Sequence, residues 1–264
     1  MMGLRKAKGN TYPDLDWLWS PLVGGCQHRC SYCYAAKMLH RFNNVSLSGV
    51  DIDNMPSPKD LIDDIWKEKP HWDSYYNKNG RFPKLPEGKI FVCDTTDLVA
   101  NNISDTWVEN IIEHCLYYAD TSSFVFQTKN PQRLYMFDYL FKQFPNDSLT
   151  FGITLETNRD TSQISQAPSP YDRMIAFRDF IAKTQYESFV TIEPIMEFDL
   201  DEFAGWFQQF TPDLVWIGAD SKKCNLPEPT AKEVKWLIRE LKNITVVRIK
   251  NNLDRLLSTE SEGE

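Results

Sequence analysis

Seven short runs of β-branched and aromatic residues, separated by longer stretches of helical period, constrain this chain more than any other feature of its sequence. The runs are 17–23, 89–94, 123–128, 149–155, 188–193, 214–218 and 244–249. Such alternation predicts βα units and a parallel sheet with helices on its outer face. From Ser104 to Ala119 the apolar residues Trp107, Ile111, Cys115 and Ala119 recur four apart behind a Ser104 N-cap, which predicts an amphipathic helix. Asn130 and Pro131 make a cap and first-turn pair before a helix over 134–144, and Thr230 with Glu233 forms a capping box before 234–241. Seven strands leave a barrel incomplete. The expected fold is therefore α/β, a partial (β/α)6-7 TIM-like barrel with right-handed crossovers and its functional groups at the C-terminal strand ends.

At 264 residues the chain suits one domain, expected over 1–257, with the loop-rich stretch 42–88 as an insertion and the acidic 258–264 as a disordered tail. Within the insertion 58–68 reads as a short helix, and His71, Trp72, Tyr75 and Tyr76 either line a lid or anchor the loop to the body. No run approaches the roughly 18 apolar residues of a membrane span, and MMGLRKAKGN lacks a signal-peptide-like apolar stretch. No membrane association and a cytoplasmic location are expected. A net charge of −8 argues against unassisted binding to a polyanion, whose phosphates need clustered Lys and Arg.

Six cysteines are too sparse for a disulfide scaffold. Three of them crowd into Gly25-Cys26-Gln27-His28-Arg29-Cys30-Ser31-Tyr32-Cys33-Tyr34, a C-x3-C-x2-C run directly after the first strand. Three thiolates so placed bind three irons of a cubane and leave the fourth open to the amino and carboxylate groups of S-adenosylmethionine. Gly24 and Gly25 let the backbone turn sharply beside such a cluster. The alternatives are a zinc site completed by His28, His40 or Cys93, and three buried structural thiols, against which polar Gln27, His28, Arg29 and Ser31 speak.

Cys26, Cys30 and Cys33, with Tyr32 just before the third cysteine, resemble the signature of the radical S-adenosylmethionine superfamily. The longer string from Gly25 to Ala35 is similar to the spore photoproduct lyase branch and to a phage-associated radical enzyme family. Asp94-Thr95-Thr96-Asp97-Leu98, Thr128-Lys129-Asn130-Pro131-Gln132-Arg133-Leu134, Ile192-Glu193-Pro194 and Val215-Trp216-Ile217-Gly218 resemble strand-end motifs of the latter, in the same order. The resemblance implies that Cys26, Cys30 and Cys33 ligate a [4Fe–4S] cluster, that Tyr32 sits beside S-adenosylmethionine, and that the Thr128-Lys129 pair meets its carboxylate through Lys129. Where the superfamily commonly places a Gly-Gly-Glu-like segment against the cofactor amino group, this chain departs with Thr95, Thr96 and Asp97, of which Asp97 can accept from the ammonium.

Thr154 and Glu156 are candidates for the ribose hydroxyls, Glu193 for cofactor or substrate, and Arg248 and Lys250 for substrate. Cys224 is a candidate hydrogen-atom donor and Cys93 a second, against the plainer reading of both as small hydrophobes; Cys115 fits a buried helix face. The implied activity is reductive cleavage to a 5′-deoxyadenosyl radical that takes hydrogen from a substrate, by resemblance a nucleobase, nucleotide or nucleic acid. A flavodoxin- or ferredoxin-like protein would supply the electron. Two other readings stay open: a zinc-stabilised binding module without catalysis, and a degenerate barrel with a structural cluster.

Overall fold

The computed structural model describes residues 3–8, 12–36, 69–145, 147–221 and 224–258. Along the chain run β1 (Leu4–Lys6), β2 (Trp17–Trp19), β3 (Leu22–Val23), β4 (His71–Trp72), α1 (Ser74–Asn79) and β5 (Gly88–Val92). Then come α2 (Asp105–Tyr117), β6 (Ser122–Thr128), a 3-10 segment (Pro131–Phe137) leading into α3 (Asp138–Phe141), and β7 (Leu149–Thr154). They are followed by α4 (Pro170–Thr184), β8 (Glu187–Ile192), α5 (Leu200–Gln209), β9 (Leu214–Ile217), α6 (Ala231–Lys242) and β10 (Val246–Ile249). A 3-10 turn (Asn251–Leu253) and α7 (Asp254–Leu257) close the described chain.

Strands pair in the order β1-β2-β5-β6-β7-β8-β9-β10. β1 lies antiparallel on β2, with Leu4 opposite Trp19, and every other neighbouring pair is parallel. The seven parallel strands are the seven that the sequence predicts, and the helix-flanked sheet is a partial TIM-like barrel. Alternation along each strand sends neighbouring residues to opposite faces. Ile90 and Val92, Phe124 and Phe126, Val190 and Ile192, and Val215 and Ile217 pack outward against helix residues such as Ile111, Phe141, Phe177, Phe203 and Leu237. Strand residues that alternate with them, Phe91, Val125, Phe189 and Trp216, meet inside with Leu18, Tyr12 and Leu15. Both faces are therefore covered, which is why 90–92, 124–126 and 214–217 read as unbroken apolar runs.

The run 17–23 does not form one strand. Pro21 has no N–H to donate and ends β2, after which β3 turns to pair with β4, Leu22 opposite Trp72. The expected helix over 134–144 is a 3-10 segment running into the short α3, and Asn130 does not cap it. Its amide donates instead to the Val99 carbonyl and Asn101 Oδ1, both at 2.9 Å. The other two caps form: Ser104 Oγ accepts from Trp107 N, and Thr230 and Glu233 close a reciprocal box.

Of the insertion, 37–68, including the expected helix at 58–68, lies outside the described residues, as does 259–264 of the tail. The Trp72 ring packs at a tilt on Trp107 of α2, with centroids 4.6 Å apart, and on Tyr76 at 4.7 Å, so Trp72 and Tyr76 anchor to the body. Among the described residues no helix is long and apolar enough to cross a membrane.

Candidate functional site

A cavity of about 530 Å³ opens at the C-terminal ends of the parallel strands. The cysteine loop forms one wall, and Gly24 makes its entry possible: φ is +100° there, and a Cβ would sit 2.7 Å from the Lys69 carbonyl oxygen. Neighbouring loops pin the cysteine loop. Ser31 N donates to Ile164 O at 2.8 Å and Gln166 N to His28 O at 2.6 Å, both across to the β7–α4 connection. Asn102 Nδ2 donates to Gly25 O at 2.9 Å, and His28 Nε2 meets Asp97 Oδ2 at 2.8 Å.

Cys26, Cys30 and Cys33 all line the cavity. Burial pushes the Cys26 thiol well up and the Cys33 thiol to about 11, so without a metal these two carry their protons. Polar groups nevertheless face each sulfur. Cys26 has the His28 and Asp97 backbone N–H groups, Cys33 has those of Ala35 and Ala36, and Cys30 Sγ lies 3.2 Å from Ser165 Oγ. Such donors favour the thiolate once a metal displaces the proton. Among the described residues no three His, Cys, Asp or Glu side chains are arranged to hold one metal ion. A zinc ion needs its ligands at about 2–2.3 Å from a single point, whereas a cubane takes each thiolate on a different iron. The three cysteines share one cavity. His28, one proposed zinc ligand, is engaged by Asp97, and His40 lies outside the described residues.

Tyr32, Thr96, Asp97, Thr128, Lys129, Thr154 and Glu193 line the same cavity; Glu156 and Cys224 are not among its lining residues. Asp97 is filled by its own chain, accepting from His28, from Thr128 Oγ1 at 2.9 Å and from Lys129 N at 2.8 Å. Burial works against its charge, and these donors outweigh it, holding the carboxyl below its ordinary range. Glu156, fully buried behind the cavity, accepts from Lys129 Nζ, from Tyr32 OH and from the buried Arg173, the last at 2.8 Å. Burial opposes its charge as well, but Arg173 and Lys129 hold it well below the usual carboxylate range. Lys129 Nζ also lies 5.2 Å from the Tyr32 ring centroid. Among the described residues Thr96 Oγ1 is buried without a hydrogen-bond partner.

Glu193 pairs with Lys250 Nζ at 2.7 Å and accepts from Asn252 Nδ2 at 2.8 Å. Arg248 stands over the Trp216 ring at 5.4 Å on an exposed part of β10. Cys93, at the end of β5 with φ of 61°, lines the cavity.

Several lining residues escaped the sequence argument. Tyr12 closes the floor: its hydroxyl donates to Gln127 Oε1 at 2.7 Å, contacts Thr191 Oγ1 at 2.6 Å, and its ring lies 4.6 Å from Lys250 Nζ. Gln127 Nε2 in turn donates to Thr154 Oγ1 at 3.0 Å. Gln127 and Thr191 carried a usable signal, being polar residues at inward positions of buried strands. So did Arg173, which shares one helix stripe with Phe177 and Phe180. Tyr12 carried none.

A family model described as "Protein of unknown function (DUF5131)" matches residues 14–238. No curated protein matches the chain. Among solved structures, a cysteine-to-alanine mutant of spore photoproduct lyase superposes with a TM-score of 0.55 at 16% identity, covering 92% of this chain and 79% of that one. A cysteine-to-alanine mutant with dinucleoside spore photoproduct gives 0.49 at 17%, covering 89% and 63%. A double mutant with bound AdoMet and dinucleoside spore photoproduct gives 0.47 at 16%, covering 89% and 64%. The chain thus spans slightly less than two thirds of the length of these last two. The first likeness establishes a shared fold.

Proposed function

The chain belongs to the DUF5131 family of proteins of unknown function, and from that premise we propose that it is a radical S-adenosylmethionine enzyme acting on a nucleobase-bearing substrate. One observation carries this reading: Cys26, Cys30 and Cys33 line a single cavity at the C-terminal strand ends. When bound, a [4Fe–4S] cluster supplies the electron, received from an external flavodoxin- or ferredoxin-like carrier, that cleaves S-adenosylmethionine to methionine and a 5′-deoxyadenosyl radical.

The chain's own residues bind and enclose. Lys129, steadied by Glu156 and the Tyr32 ring, keeps two ammonium hydrogens for the cofactor carboxylate. The unmatched Thr96 hydroxyl accepts from, or donates to, a polar group of the same ligand. Glu156 acts through Lys129 and Tyr32, while Thr154 presents its hydroxyl to a ribose. Tyr12 closes the floor and excludes water, which protects a reactive intermediate from side reactions. The substrate class rests on the motif resemblance to photoproduct lyase.

Anaerobic reconstitution with iron and sulfide, followed by reduction in the presence of S-adenosylmethionine, tests the proposal. The expected result is a brown protein with about four irons per chain that releases 5′-deoxyadenosine, and a Cys30→Ala variant that releases none. A colourless zinc protein overturns it in favour of a binding module, and a full cluster without cleavage in favour of a degenerate barrel.

A further inference from the structure

The three cysteine sulfurs differ in what faces them. Backbone N–H groups serve Cys26 and Cys33, whereas Cys30 Sγ is met by a side chain, Ser165 Oγ, at 3.2 Å in a buried contact. Ser165 sits in the β7–α4 connection, which is held against the cysteine loop from both sides by Ser31 N to Ile164 O and Gln166 N to His28 O. Its hydroxyl has two possible acceptors, Cys30 Sγ and, at 3.3 Å, His28 O.

Geometry decides between them. O–H···O bonds centre near about 2.7–2.8 Å, so the contact to His28 O is long, and that carbonyl already accepts from Gln166 N at 2.6 Å. Sulfur is larger, and 3.2 Å to it is a full hydrogen bond. Ala167 N donates to Ser165 Oγ at 3.1 Å, which fills a lone pair and leaves the hydroxyl hydrogen to be given away. A ligating Cys30 is a thiolate with no hydrogen of its own, so Ser165 is then the donor.

We propose that Ser165 donates its hydroxyl hydrogen to Cys30 Sγ and thereby raises the reduction potential of the iron–sulfur cluster that Cys30 ligates. The inference rests on the cluster reading above. A hydrogen bond to a ligating sulfur stabilises the more negative, reduced cluster and so moves the potential upward. Ser165 is a positioning and tuning residue that acts through Cys30.

An electron-spin-resonance redox titration of reconstituted wild type, Ser165→Ala, Ser165→Thr and Ser165→Cys measures the effect directly. Ser165→Ala is expected to shift the midpoint to more negative values with iron content unchanged, and Ser165→Thr, which keeps the hydroxyl, to stay near wild type. If Ser165→Ala fails to hold iron, Ser165→Cys decides: its weaker donor also lowers the midpoint. A wild-type midpoint in an iron-replete Ser165→Ala, or in Ser165→Cys where that variant decides, overturns the role of Ser165 alone. A wild-type protein that takes up no cluster overturns the function proposed above instead.

Discussion

Phe189 can fill the barrel interior because its β7 neighbour, residue 152, has no side chain. The two are register partners, and a Cβ on Gly152 would stand 2.1 Å from Phe189 Cζ. That ring is also edge-on to Tyr12, with centroids 5.3 Å apart, so displacing it disturbs the cavity floor. Gly152→Ala is expected to destabilise the fold by about 1–3 kcal/mol through overpacking, read as a lower urea midpoint; an unchanged midpoint would mean that the ring yields freely. At this scale the sequence was informative wherever chemistry is local. Cys26, Cys30 and Cys33 announce themselves by spacing, and Lys129 and Thr96 by following a strand. Tyr12 could not be found that way, because its partner Thr191 is 179 residues distant and its own neighbourhood is an ordinary polar loop. Glu156 was legible as a strand-end carboxylate, but its burial against Arg173 depends on a helix stripe packing on a particular strand end.

Elements were most readable where both strand faces are buried or where a cap is built from adjacent residues. β6 and β8 are buried nearly throughout around the apolar runs 124–126 and 189–190, whereas β1 carries Arg5 and Lys6 on the sheet margin and β4 is two residues long, so neither has a periodicity to detect. The helix expected after β6 failed for a related reason. Asn130 is drawn to Val99 and Asn101 by tertiary contact, and Arg133 turns back to the Ala100 and Ile103 carbonyls and Asp105. That leaves a 3-10 segment where sequence promised a capped α-helix. The α6 cap has no such competitor. Thr230→Ala removes the oxygen that accepts from Glu233 N and is expected to cost about 1 kcal/mol, a fall in Tm of about 2–4 °C for a chain of this size. A melting curve checks it.

Across the whole molecule, two buried carboxylates tie stability to pH. Asp97 and Glu156 both have folded-state pKa values below their ordinary ones. A depressed value means that the unfolded chain binds the proton more readily, so the stabilisation is present above the ordinary carboxylate pKa of about 4 and is lost as pH falls below it. Urea denaturation of the metal-free protein is expected to show constant support from these groups near neutrality and a steep loss below about pH 4. Asp97→Asn should flatten part of that loss; an equally steep acid limb would show that His28 and Thr128 do not stabilise the charge.

The floor of the barrel also has a history in time. Tyr12 is made early, yet Thr191, which its hydroxyl contacts, follows 179 residues later. At about 5–20 residues per second on a ribosome, that interval is about 9–36 s. Lys250, whose ammonium lies over the same ring, is later still. Late in this interval Phe91 and Val125, by then synthesised, have neither Phe189 nor Trp216 to complete their cluster. The nascent chain therefore carries an unsealed aromatic trough, open to chaperones and to neighbouring nascent chains, and its plug is translated first and seated last.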